Sequence, residues 1–129
     1  MDFQKFLVCV IEDNKSVNKL LSTVLNKAGI ESISFFNGQE SLEWLRENQP
    51  SAILIDILLP DILGTQLLEQ IKNLPNYNGV PIIAISGLSD NLTKEKLIEA
   101  GFDYFISKPI NIITFPNEVE TIIKTKIKL

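Results

Sequence analysis

Glu12, Asp13, Asp56, Ser86 and Lys108 have the chemistry to form one site. Each ends or follows a short apolar run. Phe6–Ile11 leads to Glu12 and Asp13, and Ala52–Ile55 leads to Asp56. Val80–Ile85 leads to Ser86, and Asp103–Ser107 leads to Lys108. A lone Asp or Ser in such a place is more often a turn former or helix cap. Three carboxylates and one ammonium at one edge are harder to explain that way. Crowded carboxylates repel one another without a cation, and a divalent ion is their natural partner. An all-oxygen set favours Mg²⁺ or Mn²⁺. The chain has no histidine. That removes Ser-His-Asp and Cys-His nucleophiles, histidine metal ligands and a histidine proton shuttle. Cys9 is the single cysteine. It can form neither an internal disulfide nor a cysteine zinc site, and within Phe6–Ile11 it is predicted to be a buried small hydrophobe. The glycines form neither GxGxxG nor GxxxxGK, so the common phosphate-cradling loops are missing.

The elements that must position these residues alternate between two periodicities. Phe6–Ile11, Ala52–Asp56 and Val80–Ser86 are near-continuous apolar runs, the pattern of strands buried on both faces. Pro81 fits only near the start of its run. Glu31–Phe35 and Asp103–Ser107 read as two further strands. Between them lie helical stretches. Asn14–Ala28 carries Val17, Leu20, Leu21, Val24, Leu25 and Ala28 as one apolar stripe, with Gly29 placed as a C-terminal cap. Asn37 with Glu40 opens a second helix through Leu42, Trp44 and Leu45. Leu67, Leu68, Ile71 and Leu74 mark a third, and Asn91–Ala100 a fourth closed by Gly101. Thr114–Lys126 is the fifth, with Pro116 tolerable only in its first turn. Five such βα units predict an α/β fold, a doubly wound parallel sheet with helices on both faces. Ligands of such sheets bind beyond the carboxyl ends of the strands, where all five candidate residues are expected.

In chain order these residues resemble a known family. The turn Val10-Ile11-Glu12-Asp13-Asn14, the segment Asp56-Ile57-Leu58-Leu59-Pro60 with Gly64, the strand end Ile85-Ser86-Gly87 and the segment Phe105-Ile106-Ser107-Lys108-Pro109 look like the receiver domain of response regulators. The resemblance covers about residues 6–127 of a single predicted domain, 1–129. It is most like stand-alone receivers of the DivK kind and receivers attached to hybrid kinases. The resemblance implies a flavodoxin-like sheet in the order 2-1-3-4-5 with five helices. It implies that Asp56 is the phosphoacceptor. Asp13, Asp56 and the Leu58 backbone carbonyl would ligate Mg²⁺, with Glu12 acting through water. Lys108 would pair with a phosphoryl oxygen, next to a cis bond to Pro109. Ser86 and Phe105 would be the switch pair. Leu58 and Leu88 stand where the family tunes phosphoryl lifetime, and both are apolar here, which predicts slow self-hydrolysis. Leu59 replaces a more usual methionine, a volume-conserving swap.

The implied partners are a histidine kinase or histidine phosphotransfer protein and a downstream target protein. Donor docking is expected on the exposed face of helix 1 at Asn14, Lys15 and Asn18, with the loop after Lys108. Output, or a weak dimer, is expected through helix 4, strand 5 and helix 5. Two rival readings stay open. A receiver-like module that is never phosphorylated usually lacks the aspartate or the lysine, and both are present. A metal-dependent phosphatase on a similar sheet needs a second aspartate two positions after its nucleophile, where Leu58 stands. The net charge of −4 argues against broad nucleic-acid affinity. Met1–Lys5 has no signal-peptide shape, and no apolar run nears the roughly 20 residues of a membrane span. A cytoplasmic protein is expected. The Met1 start and lysine-rich end predict a complete chain with no output domain, the alternative being a receiver cut from a hybrid kinase.

Overall fold

The computed structural model describes residues 5–87 and 94–127. Five strands form one parallel sheet: β1 (Leu7–Ile11), β2 (Glu31–Phe35), β3 (Ala52–Asp56), β4 (Ile82–Ser86) and β5 (Tyr104–Ser107). Five helices connect and follow them: α1 (Lys15–Lys27), α2 (Gly38–Leu45), α3 (Gly64–Lys72), α4 (Lys94–Ala100) and α5 (Phe115–Ile127). The strand order is β2-β1-β3-β4-β5. The order reverses at β1 and β3, so two crossovers leave from that point to opposite sides.

The apolar runs feed two cores because successive strand side chains point to opposite faces. Cys9, Ile11, Ile53, Ile55, Ile82 and Ala84 join Leu42, Leu67, Leu68, Ile71 and Leu97 from α2, α3 and α4. Val8, Val10, Leu54, Ile83 and Ile85 join Leu21, Leu25, Phe115 and Val119 from α1 and α5. Cys9 is fully buried, and burial pushes its thiol far above the ordinary range.

The element ends show local chemistry. Asn14 Oδ1 accepts from the Val17 N–H at 3.1 Å, so Asn14 caps α1 and is not its first residue. Gly29, at φ 84°, turns the chain after α1, a conformation that suits glycine. Asn37 caps α2 by accepting from the Glu40 N–H at 2.9 Å. Pro116 sits in the first turn of α5, where its missing N–H is not needed. Three strands are shorter than the sequence suggests. Phe6 lies outside β1 and Pro81 outside β4. Asp103 lies outside β5, and its carboxylate accepts from the Ile82 N–H at 2.8 Å. The Asp103 N–H also donates to the Ile82 carbonyl at 2.9 Å, so its backbone and side chain both tie it to β4.

The stripe of α1 is also displaced. Asn18, Leu21 and Leu25 are the fully buried positions, while Leu20 is 44% exposed. Counting apolar residues alone skews the stripe, because polar Asn18 belongs to the buried side. Asn91, Leu92 and Leu88 lie outside the described residues.

Candidate functional site

Strand register brings the site together. Ile11 lies opposite Ile55, so Glu12 and Asp56, one residue further on, sit side by side where β1 and β3 end. Asp56 is opposite Ile85 of β4, and Ser86 is opposite Ser107 of β5. The Lys108 N–H donates to the Ser86 carbonyl at 2.8 Å, which fixes where the lysine side chain starts. The Lys108–Pro109 peptide is cis.

Glu12, Asp13 and Asp56 each place a carboxylate oxygen within 4.8 Å of the others. Glu12 is fully buried, Asp56 is buried and Asp13 is exposed. Lys108 Nζ lies 2.8 Å from Glu12 Oε1 and donates to Asp56 Oδ2 at 3.4 Å. Asp56 Oδ1 accepts from the Leu58 N–H at 3.1 Å, and Glu12 Oε2 from the Asn14 N–H at 3.1 Å. Burial pushes the Glu12 carboxyl above its ordinary range, and Asp56 adds to this. Contacts with Lys108 and the Asn14 N–H oppose the rise without cancelling it. Burial also acts to lower Lys108, but Glu12 and Asp56 outweigh it and hold the ammonium above its usual range.

These residues fit a divalent cation. Glu12 Oε1 is buried and pairs with the Lys108 ammonium at 2.8 Å. Three carboxylates face one ammonium, which leaves excess negative charge in an all-oxygen pocket, the donor set hard cations prefer.

The loop after Asp56 is held closely. Gly64 N–H donates to the Ile57 carbonyl at 2.8 Å, and Leu58 and Leu63 form an antiparallel bridge. A Cβ on Gly64 would lie 2.8 Å from the Ile57 Cα, so only glycine admits this approach. The Leu58 side chain is 55% exposed. Ser86 is 1% exposed, and its hydroxyl donates to the Gly87 carbonyl at 3.4 Å. Phe105 is half-buried against the core on the α2, α3 and α4 side. Leu88, expected to tune lifetime, lies outside the described residues.

The expected docking residues divide. Asn14 is exposed, with its side-chain oxygen occupied as the α1 cap. Lys15 is exposed, and its ammonium lies 5.7 Å from the centre of the Phe36 ring. Asn18 corrects the expectation: it is 0% exposed and is not on the outer face of α1. Its Nδ2 donates to the Glu12 carbonyl at 3.0 Å and the Phe35 carbonyl at 3.1 Å. It therefore pins the acidic turn to the end of β2. Sequence reasoning also missed Asp61, whose carboxylate accepts from the Gly38 and Gln39 N–H groups, both at 2.9 Å. For Asn18 a signal existed, since it lies three and seven residues before Leu21 and Leu25. For Asp61, 22 or 23 residues from its partners, no local pattern gave one.

The response regulator receiver domain family matches residues 8–120. The polar-differentiation response regulator DivK of Brucella anthropi is 33% identical over 115 residues, which cover 89% of this chain and 91% of that protein. Among solved structures, a CheY-like receiver domain from Methylobacillus flagellatus superposes with a TM-score of 0.81 at 26% identity, covering 92% of this chain and 99% of that one. The receiver domain of a signal transduction histidine kinase from Syntrophus aciditrophicus gives 0.83 at 26% identity, covering 93% and 91%. With its acid cluster and lysine at the ends of the matching strands, the chain belongs to the response regulator receiver domain family.

Proposed function

We propose that Asp56 accepts a phosphoryl group from a phosphohistidine carried by a histidine kinase or histidine phosphotransfer protein. The observation that carries this reading is the placement of Asp56. It is buried at the end of β3, beside two further carboxylates and within hydrogen-bonding distance of Lys108. Receiver domains are signalling domains that bind Mg²⁺ at an acidic site and interact with kinases or phosphotransfer proteins.

In this reading a carboxylate oxygen of Asp56 attacks phosphorus. The phosphorus–nitrogen bond of the donor breaks, and the imidazole leaves on the partner. Asp13, Asp56 and the Leu58 carbonyl would hold Mg²⁺, with Glu12 acting through water. Bound there, the ion supplies charge compensation for the transferring phosphoryl oxygens. Lys108 moves from its carboxylate partners to a phosphoryl oxygen. Ser86 donates its hydroxyl to the phosphoryl group and draws the following loop inward, and Phe105 turns further into the core as that space opens. The modification adds roughly −1.5 to −2 charge, and that charge selects whichever arrangement contacts it better. Output is the phosphorylation-dependent binding of a protein to the face formed by α4, β5 and α5. Tyr104 and Ile98 are partly exposed there.

Acetyl phosphate with Mg²⁺ and intact-mass measurement test the reading. It expects one phosphoryl group on the protein and none on Asp56→Ala. No adduct would favour an interaction module that is never phosphorylated. Continuous phosphate release with turnover would favour a phosphatase.

A further inference from the structure

We propose that Asp61 is a positioning residue for the metal site, holding the loop that carries the Leu58 carbonyl by seating it on the N-terminus of α2. This inference rests on the functional reading above.

The loop from Asp56 to Gly64 is closed at its base by the Leu58–Leu63 bridge and by the Gly64 N–H bond to the Ile57 carbonyl. Its tip, Pro60-Asp61-Ile62, reaches α2. There Asp61 Oδ1 accepts from the Gly38 N–H and Oδ2 from the Gln39 N–H, both at 2.9 Å. These donors belong to the first turn of a helix, where N–H groups lack intrahelical partners and negative charge is favoured. Asn37, the α2 cap, takes the Glu40 N–H instead. The first turn is therefore shared between its own cap and a carboxylate from another loop. The packing agrees with the hydrogen bonds. A Cβ on Gly38 would collide with Ile62 Cγ2, so the loop tip sits where only a glycine lets it approach.

The consequence reaches Leu58. The bridge ties Leu58 to Leu63, and Asp61 anchors the short span between them to α2. Without that anchor the tip rests on α2 by apolar contact, and the Leu58 carbonyl is oriented only by the bridge to Leu63 and the Leu58 N–H bond to Asp56. Groups that orient a metal ligand from behind weaken metal binding when removed, by about tenfold or more. Asn37 provides the control. It caps the same helix turn by accepting from the Glu40 N–H, so its loss destabilises the helix while the Asp61 carboxylate stays in place.

The test is calorimetric titration of Mg²⁺ into the unphosphorylated protein, alongside thermal unfolding, for wild type, Asp61→Ala, Asp61→Asn and Asn37→Ala. Asp61→Ala is expected to weaken Mg²⁺ binding about tenfold. Asp61→Asn retains one acceptor oxygen and falls between Asp61→Ala and wild type, and it serves in its place if the alanine variant does not fold. Asn37→Ala lowers the unfolding temperature and leaves the Mg²⁺ affinity unchanged. Unchanged affinity in the Asp61 variants overturns the inference and leaves the functional reading intact. An equal loss in Asn37→Ala also overturns it, since the effect would then be general destabilisation. Failure of the wild-type protein to bind Mg²⁺ overturns both.

Discussion

Two apolar or buried side chains beside the acid cluster make predictions at the scale of single residues. Leu58 lies two positions after Asp56, and its exposed side chain cannot orient an attacking water. Phosphorylated protein is therefore expected to outlast seconds by a wide margin, and Leu58→Asn to shorten its lifetime. Intact mass followed over time after removal of acetyl phosphate measures this. Decay within seconds that Leu58→Asn does not accelerate would contradict it. Asn18 makes the second prediction. Its amide satisfies the Glu12 and Phe35 carbonyls from a fully buried position. Asn18→Ala leaves the buried Glu12 carbonyl without that donor, while the Phe35 carbonyl keeps the Glu12 N–H; the loss costs about 1–3 kcal/mol, read by urea denaturation. A cost near zero would mean that water replaces the amide. The residue was visible in the sequence as an asparagine, but polarity suggested the outer face. Only the carbonyls it serves explain why it is inside.

The element scale concerns how α2 and the loop after β3 hold each other. Burial acts to raise the Asp61 carboxyl, but the Gly38 and Gln39 N–H groups outweigh it and hold it below the ordinary range. A carboxyl lowered on folding stabilises the native state above its unfolded value, about 3.9 for aspartate. That stability is lost as pH falls through the lower folded value. Asp61→Asn is therefore expected to be less stable than wild type at pH 7, with the difference shrinking as the pH falls below that range. Thermal unfolding of both proteins from pH 7 to pH 3 checks it, and a difference independent of pH would contradict it. The helix cap at Asn37 and the glycine after α1 were legible because each acts within a few residues. The clamp between Asp61 and α2 was not, because it joins segments more than 20 residues apart. The end of β5 failed for a similar reason: Asp103 looks like a strand residue until its side chain takes a backbone donor from β4.

At the scale of the molecule, the parallel sheet follows from continuous apolar runs alternating with amphipathic ones, while its strand order was implied only by the family resemblance. The site follows from where those runs stop. Residues at the ends of β1, β3, β4 and the segment after β5 were legible because a parallel sheet gathers its strand ends on one edge. The same edge concentrates negative charge, so a cation bound there would couple to folding. Mg²⁺ at a hundred times its dissociation constant is expected to stabilise the native protein by about 2.7 kcal/mol. Thermal unfolding with and without the ion reads this as a rise in Tm, and Asp13→Asn is expected to abolish most of it. An equal rise in the variant would place the ion elsewhere. Among the described residues no helix is long and apolar enough to cross a membrane.

Phosphoryl transfer to Asp56 is read by chemical trapping at the residue. Protein treated with acetyl phosphate and Mg²⁺ is reduced with borohydride, which converts an aspartyl phosphate to homoserine, and is then mapped by peptide mass spectrometry. Homoserine is expected at position 56 and at no other carboxylate. Homoserine at Asp13 or Glu12, or unmodified Asp56 after the treatment, would contradict it.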